Sequence, residues 1–287
     1  MIRLTTNFRA SLSVRLILSF AFALITGCAC IAVTQPESFA QRSGQMTGLT
    51  SAASQQRSPS DVVREFYKAM RERRYREAFA LTIYKPAVEN LSAEDMEDLR
   101  PTFEDRAAKI PAQVEITGEQ ISGNIATVFV KIPVTESTPQ ITSEPVNLIN
   151  SGGSWIIGTE SDQAIVKKAG RRFFLDALIE GNHADVEELL KNLVAVQITY
   201  SLQHQGVFAD LPALIKAGFI SPDVAEPKLL GYYFHVTPAK GGKTYVAGAE
   251  PARYGHTGKL SFWMDQTGAI KSADNGGKPL TPSGLKN

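Results

Sequence analysis

The hydrophobic pattern of this chain changes period twice, from helical to alternating at Pro111 and again after Gly206, and this limits the fold more than any single motif. Ser58-Pro59-Ser60-Asp61 offers an N-cap, a proline at the first helical position and a carboxylate three residues after the cap. Val62, Val63, Phe66, Tyr67 and Met70 follow at helical spacing, and Tyr75, Ala78, Phe79 and Leu81 mark a second short helix. Ser92 to Asp95 repeats the capping pattern ahead of Met96, Leu99, Phe103 and Ala107, a third helix that Pro101 should kink. Beyond Pro111 the apolar residues alternate: Val114 and Ile116, then Ala126, Val128, Val130 and Ile132, then Val146 and Leu148, then Trp155 and Ile157. Turn chemistry at 118–123 and 150–153 separates these runs. Helices followed by an antiparallel sheet is the α+β order.

The second half repeats that order. A helical block runs from Asp162 to about Gln205, with Gly181-Asn182 as the expected break or kink, and carries Val186, Leu189, Leu190, Leu193 and Val196. After Gly206 short loops and strands are expected at Leu211 to Ile215, Tyr232 to Val236, Tyr245 to Ala249, Leu260 to Met264 and Ala269 to Lys271. Asp265-Gln266-Thr267-Gly268 reads as a hairpin connection, with glycine placed for a positive φ.

The beginning of the chain speaks to location. Arg3, Arg9 and Arg15 precede an uncharged apolar run, Leu16 to Ile25, of the length a secretory signal requires. Ile25-Thr26-Gly27-Cys28 resembles a bacterial lipobox, which implies a signal peptide over 1–27, diacylglyceryl transfer to the Cys28 sulfur, and a mature chain that begins there. Acyl chains contribute about 0.8 kcal/mol per buried methylene, enough to hold a protein on a bilayer without a spanning helix. Two other outcomes stay open: Leu16 to Val33 as an uncleaved anchor, and cleavage after Ser38-Phe39-Ala40, which releases a soluble protein beginning at Gln41. Ala29 after the lipidated cysteine is not the aspartate of inner-membrane retention in enteric-type sorting, which favours the outer membrane. The stretch 28–57 reads as a flexible tether, since Thr34 to Arg57 is mostly Gln, Ser, Thr, Gly and Ala.

Composition sets further bounds. The 287 residues leave room for two domains, and the only cysteines are Cys28 and Cys30, so apolar cores must hold the folded parts. Thirty Lys plus Arg against 29 Asp plus Glu gives no signal for a nucleic-acid partner.

Ser-Pro-x-Asp-Val-Val-x-x-Phe-Tyr at 58–67, Tyr-x-x-Ala-Phe at 75–79 and Gly-Gly-Ser-Trp-Ile-Ile at 152–157 resemble the nuclear transport factor 2-like superfamily, specifically its small bacterial lipoproteins. The resemblance implies a cone over 58–160 in which a curved antiparallel sheet wraps around helices. Leu189 to Tyr200 with Gly206, Leu211 to Leu214, Gly218-Phe219-Ile220, Gly231 to Phe234 and Gly255 to Gly268 are similar to the headgroup of type IV pilins and type II secretion pseudopilins. That implies a helix plus antiparallel meander over 183–287, joined through a connecting helix at 161–182. The polymerisation helix of such subunits has no counterpart before Val186, where Lys167, Lys168, Arg171 and Arg172 stand instead.

Chemistry is sparse. His183, His204, His235 and His256 are spaced too far apart for a helical or hairpin metal pair and read as surface or turn residues. The cone contains no histidine, and its candidate carboxylates Asp95, Asp98 and Glu104 read as a solvated face. Gly255 to Lys259 departs from a phosphate loop at Arg253 and Leu260, Ser154 lacks a nucleophile-elbow frame, and Asp265 and Asp274 supply too few oxygens for a calcium site. Lys68, Arg71, Arg73, Arg74 and Arg76 form a basic run that can meet anionic lipid heads or stand as a solvated face with local ion pairs. Tyr67, Tyr75, Phe79, Tyr84 and Trp155 can line a cone mouth for a small apolar ligand or fill the core.

Together these observations point to an exported, lipid-anchored envelope protein facing the periplasm. It is expected to act as a non-catalytic binding or assembly module without cofactor or metal, meeting the membrane through its lipid, other envelope proteins and a small apolar ligand. The alternatives are a ketosteroid-isomerase-like lyase or isomerase on the cone and an accessory component of a type II secretion or type IV pilus system.

Overall fold

The computed structural model describes residues 57–111, 113–133, 141–227 and 230–281, so Cys28, the leader, the Ala40 site and nearly all of the tether lie outside the described residues. The fold is α+β, with two four-stranded antiparallel meanders. The described residues divide into two compact units: 57–85 with 108–164, and 86–107 with 165–281.

In the first unit, α1 (Pro59–Arg71) begins where the capping pattern places it: the Ser58 side chain accepts from the Asp61 N–H. Glu119 reinforces that end by accepting from the Ser60 N–H at 2.8 Å, which sets a carboxylate against the positive end of the helix dipole. Two short helices follow, α2 (Tyr75–Ala80) and then α3 (Lys85–Val88), at which the chain passes into the second unit. The sheet runs β1 (Glu115–Ser122), β2 (Ile125–Pro133), β3 (Ile141–Ser151) and β4 (Ser154–Ile157) in sequential order. Val62, Val63 and Tyr67 of α1 lie on Ala126, Val128, Val130 and Leu148 of the sheet, all buried. Each large aliphatic side chain fully buried there is worth about 1.5–3 kcal/mol.

One turn differs from expectation. The 118–122 segment is strand, with an irregularity between Ile116 and Gly118, and the reversal is confined to Gly123 and Asn124. A bulge absorbs the residue that breaks the alternation.

In the second unit, α4 (Ala93–Ala108) continues through Pro101, and its Leu99 and Phe103 are buried. The Phe103 ring meets Phe174 edge to face, so the segment that the sequence pattern groups with the first sheet packs here. Helix α5 (Glu160–Ala169) ends at Gly170, whose φ of +53° no branched residue adopts cheaply, and α6 (Arg172–Gln203) then runs unbroken through Gly181 and Asn182. The expected break is therefore misplaced: Asn182 is held inside the fold by donating to the Thr257 carbonyl at 2.8 Å.

Leu211–Lys216, expected among loops and strands, is a helix, α7. The Asp210 carboxylate accepts from the Ala213 N–H and Pro212 sits in the first turn, a start signal that the apolar run alone conceals. Strands β5 (Tyr232–Pro238), β6 (Tyr245–Pro251), β7 (Leu260–Asp265) and β8 (Ile270–Asp274) complete the second meander, with Gly268 at φ +79° in the last hairpin. Val186, Leu190, Leu193 and Val196 of α6 pack on Tyr232, Tyr245, Ala247, Ala249, Phe262 and Met264 of its dry face.

Gly258 is pressed against the buried Tyr232 ring, whose hydroxyl donates to the Leu260 carbonyl at 2.8 Å; a Cβ at Gly258 would fall 2.0 Å from that hydroxyl. Gly258→Ala is expected to cost about 2–3 kcal/mol in urea unfolding, whereas Asp210→Ala costs about 1 kcal/mol through the lost cap.

Candidate functional site

A polar cluster joins residues distant in the chain within the second unit, where the N-terminal turn of α4 meets the turn at 253–258. Ser92 and Asp95 form a reciprocal cap: the Asp95 N–H donates to Ser92 Oγ at 3.0 Å and the Ser92 N–H to Asp95 Oδ2 at 3.2 Å. The second carboxylate oxygen is thereby free to face His256, whose Nδ1 lies 2.7 Å from Asp95 Oδ1. Arg253 closes the cluster, bonding Asp98 through Nη1 and reaching Glu94 at 3.2 Å and Asp95 at 3.7 Å through Nη2. Thr257 fixes the turn by donating to the Gly231 carbonyl at 2.7 Å and accepting the Arg253 N–H at 3.0 Å.

Asp95 is only 1% exposed. Burial pushes its carboxyl up, but the hydrogen bonds from Ser92 and His256 outweigh burial and hold it below the ordinary carboxylate range. Asp98 goes the other way, because burial raises it more than Arg253 lowers it. The solvated-face reading of these two carboxylates is therefore wrong. Asp95, Asp98 and His256 also bring three ligand atoms within 4.8 Å of one another, a geometry that can hold a divalent cation. Arg253 already supplies positive charge at that spot and must move before a metal enters. The arrangement as it stands is an ion-pair staple, with an imidazole oriented by a buried carboxylate.

Of the other histidines, His183 is half-buried and its Nε2 accepts the N–H groups of Lys259 and Leu260 at 3.1 and 3.2 Å. Only an unprotonated Nε2 can do this, and burial lowers the ring below its ordinary value. His204 stacks on Tyr200 at 3.8 Å, and His235 pairs with Glu250. Asp265 accepts from the Thr267 N–H inside its own turn, and Asp274 accepts from the hydroxyl of Tyr254, twenty residues earlier in the chain. The Gly255 N–H donates to the Gly258 carbonyl at 2.8 Å, as in a closed turn.

In the first unit Tyr67, Tyr75, Phe79 and Tyr84 are all buried. Trp155 is partly buried against the same core as Tyr67, and Phe79 meets Tyr84 edge to face at 6.3 Å. Burial and the neighbouring Glu144 push the Tyr67 hydroxyl up to about 12. Sequence reasoning missed Glu144. It stands opposite the buried Val130, so it points to the dry face of the sheet, and its Oε2 is shielded without a hydrogen-bond partner. The signal was the alternation itself, which places Glu144, Val146 and Leu148 on one side.

The basic run is not a uniform cationic patch. Arg74 reaches Glu65, Glu72 and Glu77 at once, and Arg71 touches the Pro111 carbonyl, while Arg73 stands at φ 60° after α1. Lys68 lines an open depression of about 370 Å³ with Arg57, Asp61, Arg64 and Glu65, and Arg76 is exposed. Among the described residues no helix is long and apolar enough to cross a membrane.

Comparison with protein-family models, curated proteins and solved structures gave no match.

Two outcomes follow from the cluster and from His183. Arg253→Ala leaves the Asp95 and Asp98 charges facing each other and is expected to cost about 2 kcal/mol in urea unfolding, allowing for the partial exposure of the arginine. Because the folded His183 binds its proton less readily than the unfolded one, stability is full above about pH 6.5 and declines as pH falls below it. His183→Asn should flatten that decline, measured as the urea midpoint between neutral pH and pH ~5, whereas the Asp95 contribution persists until about pH 4.

Proposed function

We propose that this protein is an exported, lipid-anchored component of the cell envelope, built from a cone-like unit and a pilin-headgroup-like unit, that acts by binding or assembly rather than catalysis. The observation that carries the non-catalytic reading is the filling of the first sheet: Val62, Val63 and Tyr67 occupy the face that an open chamber would need. The export signal and Cys28 support the anchored location. Arg71, Arg73 and Arg76 are exposed on the unit that follows the tether, consistent with contact to anionic lipid heads, while Arg74 is taken up by its three glutamates.

A second reading is favoured by Glu144. A shielded carboxylate oxygen without a donor, close enough to Tyr67 to raise its hydroxyl, is the pairing that a ketosteroid-isomerase-like proton transfer would use. Binding and catalysis separate at this residue. Glu144→Gln removes a buried charge, so a binder should gain or keep stability and retain its partners, whereas an isomerase would lose turnover by at least a hundredfold.

Mass spectrometry of protein purified from membranes is expected to find Cys28 as the first residue, carrying acyl chains. Affinity capture from detergent-solubilised envelopes should then recover envelope partners equally with native protein and Glu144→Gln. An unmodified Gln41 at the N-terminus, or material in the cytosol with its leader intact, would end the anchored reading.

A further inference from the structure

The wet face of the second meander carries a set of groups that neither the core nor the Asp95 cluster uses. Register fixes its layout. Tyr233 stands opposite Glu250, His235 opposite Gly248, Gly248 opposite Trp263, and Trp263 opposite Lys271. Directly opposed residues of an antiparallel pair project from the same side, so these six share the face away from Tyr232, Ala249 and Phe262, which are in the core.

Three features of this face point to a ligand. Glu250 is 12% exposed, and while Oε1 pairs with His235 Nε2, Oε2 is shielded and has no hydrogen-bond partner. A buried carboxylate oxygen without a donor costs free energy that folding alone does not require. Gly248 contributes no side chain at the centre of the row, which leaves space between His235 and the indole of Trp263. Lys271 lies over the Trp263 ring with Nζ 5.8 Å from its centroid, on the strand opposite to that space. Tyr233, 47% exposed, stands beside Glu250 as a second aromatic surface.

We infer that this face binds a neutral saccharide, with a pyranose ring over Gly248 against Trp263 and its hydroxyls shared between Glu250 and His235. Charge selects the class. A cationic ligand meets the Lys271 ammonium already placed on the indole, and an anionic one meets Glu250. A neutral ring with O–H groups both donates to the unsatisfied carboxylate oxygen and accepts from the imidazole or the ammonium, while its C–H side covers the aromatic surface. His235 is half-exposed on the edge strand β5, so its rotation opens Glu250 to the incoming hydroxyl without disturbing the core. This inference concerns the second unit alone and holds whether or not Cys28 is acylated.

The chain has two tryptophans, so Trp155→Phe leaves Trp263 as the sole indole reporter. Maltotriose, cellotriose and tri-N-acetylchitotriose are titrated into that variant by fluorescence and into the unaltered chain by calorimetry, with hexalysine as the cationic comparison. At least one trisaccharide is expected to give a saturable signal in both. Glu250→Gln should weaken it about tenfold, as loss of a charged hydrogen-bond acceptor does. Tyr233→Ala, which removes an exposed ring and spares the core, should weaken it about threefold or more, with far-UV circular dichroism unchanged in both variants. The inference is overturned by silence with all three sugars up to ~10 mM, by unchanged affinity in both variants, or by tighter binding of hexalysine than of any sugar.

Discussion

In each unit a single helix laid on the dry face of a four-stranded meander holds the fold, and the rest of the structure is arranged around that contact. The chain has no cysteine beyond residue 30, so no crosslink substitutes for it. Val62, Val63 and Tyr67 cover one sheet, and Val186, Leu190, Leu193 and Val196 cover the other. Because apolar burial is non-directional, it specifies which faces meet but not the angle or register at which they do. Register comes from polar groups buried at the margins of these contacts.

Those groups join segments distant in the chain. Gln197, fully buried in α6, donates to the Ala209 carbonyl at 2.6 Å and accepts the Ala209 N–H at 3.0 Å, so that one side chain satisfies both backbone groups of a residue after the helix. Asn182 does half of this for Thr257, and Asp95 caps its own helix while holding His256. Leaving any of these partners unmade costs more than the bond itself contributes, which makes such residues strict about geometry. The carboxylates Glu144 and Glu250 depart from this rule: each has a shielded oxygen without a donor. Groups of that kind are where a protein keeps capacity for something other than its own fold.

The elements were largely legible beforehand, because the capping signals at Ser58 and Ser92 and the alternation from Ala126 to Ile132 act over a few residues. Where local rules failed, a competing local rule or a distant contact explains it. Gly181 looked like a break, yet Gly170 takes the left-handed conformation while Asn182 finds a partner 75 residues away. Leu211 to Ile215 looked like part of a run of short loops and strands, yet Asp210 and Pro212 start a helix there. The candidate site was much less legible. Asp95 and His256 are separated by 161 positions, and nothing in either neighbourhood marks them as partners.

By itself the sequence determined the α+β order, the positions of most helices and strands and the glycine of the last hairpin, since periodicity, caps and turns are properties of short segments. The tertiary structure alone decided that α4 packs with the second unit, that Asp95 is buried and bound to His256 and Arg253, and that Glu250, Tyr233 and Trp263 share one face. Those outcomes depend on which strands pair and which faces close, and such choices are settled by the summed burial of a whole unit rather than by any run of residues.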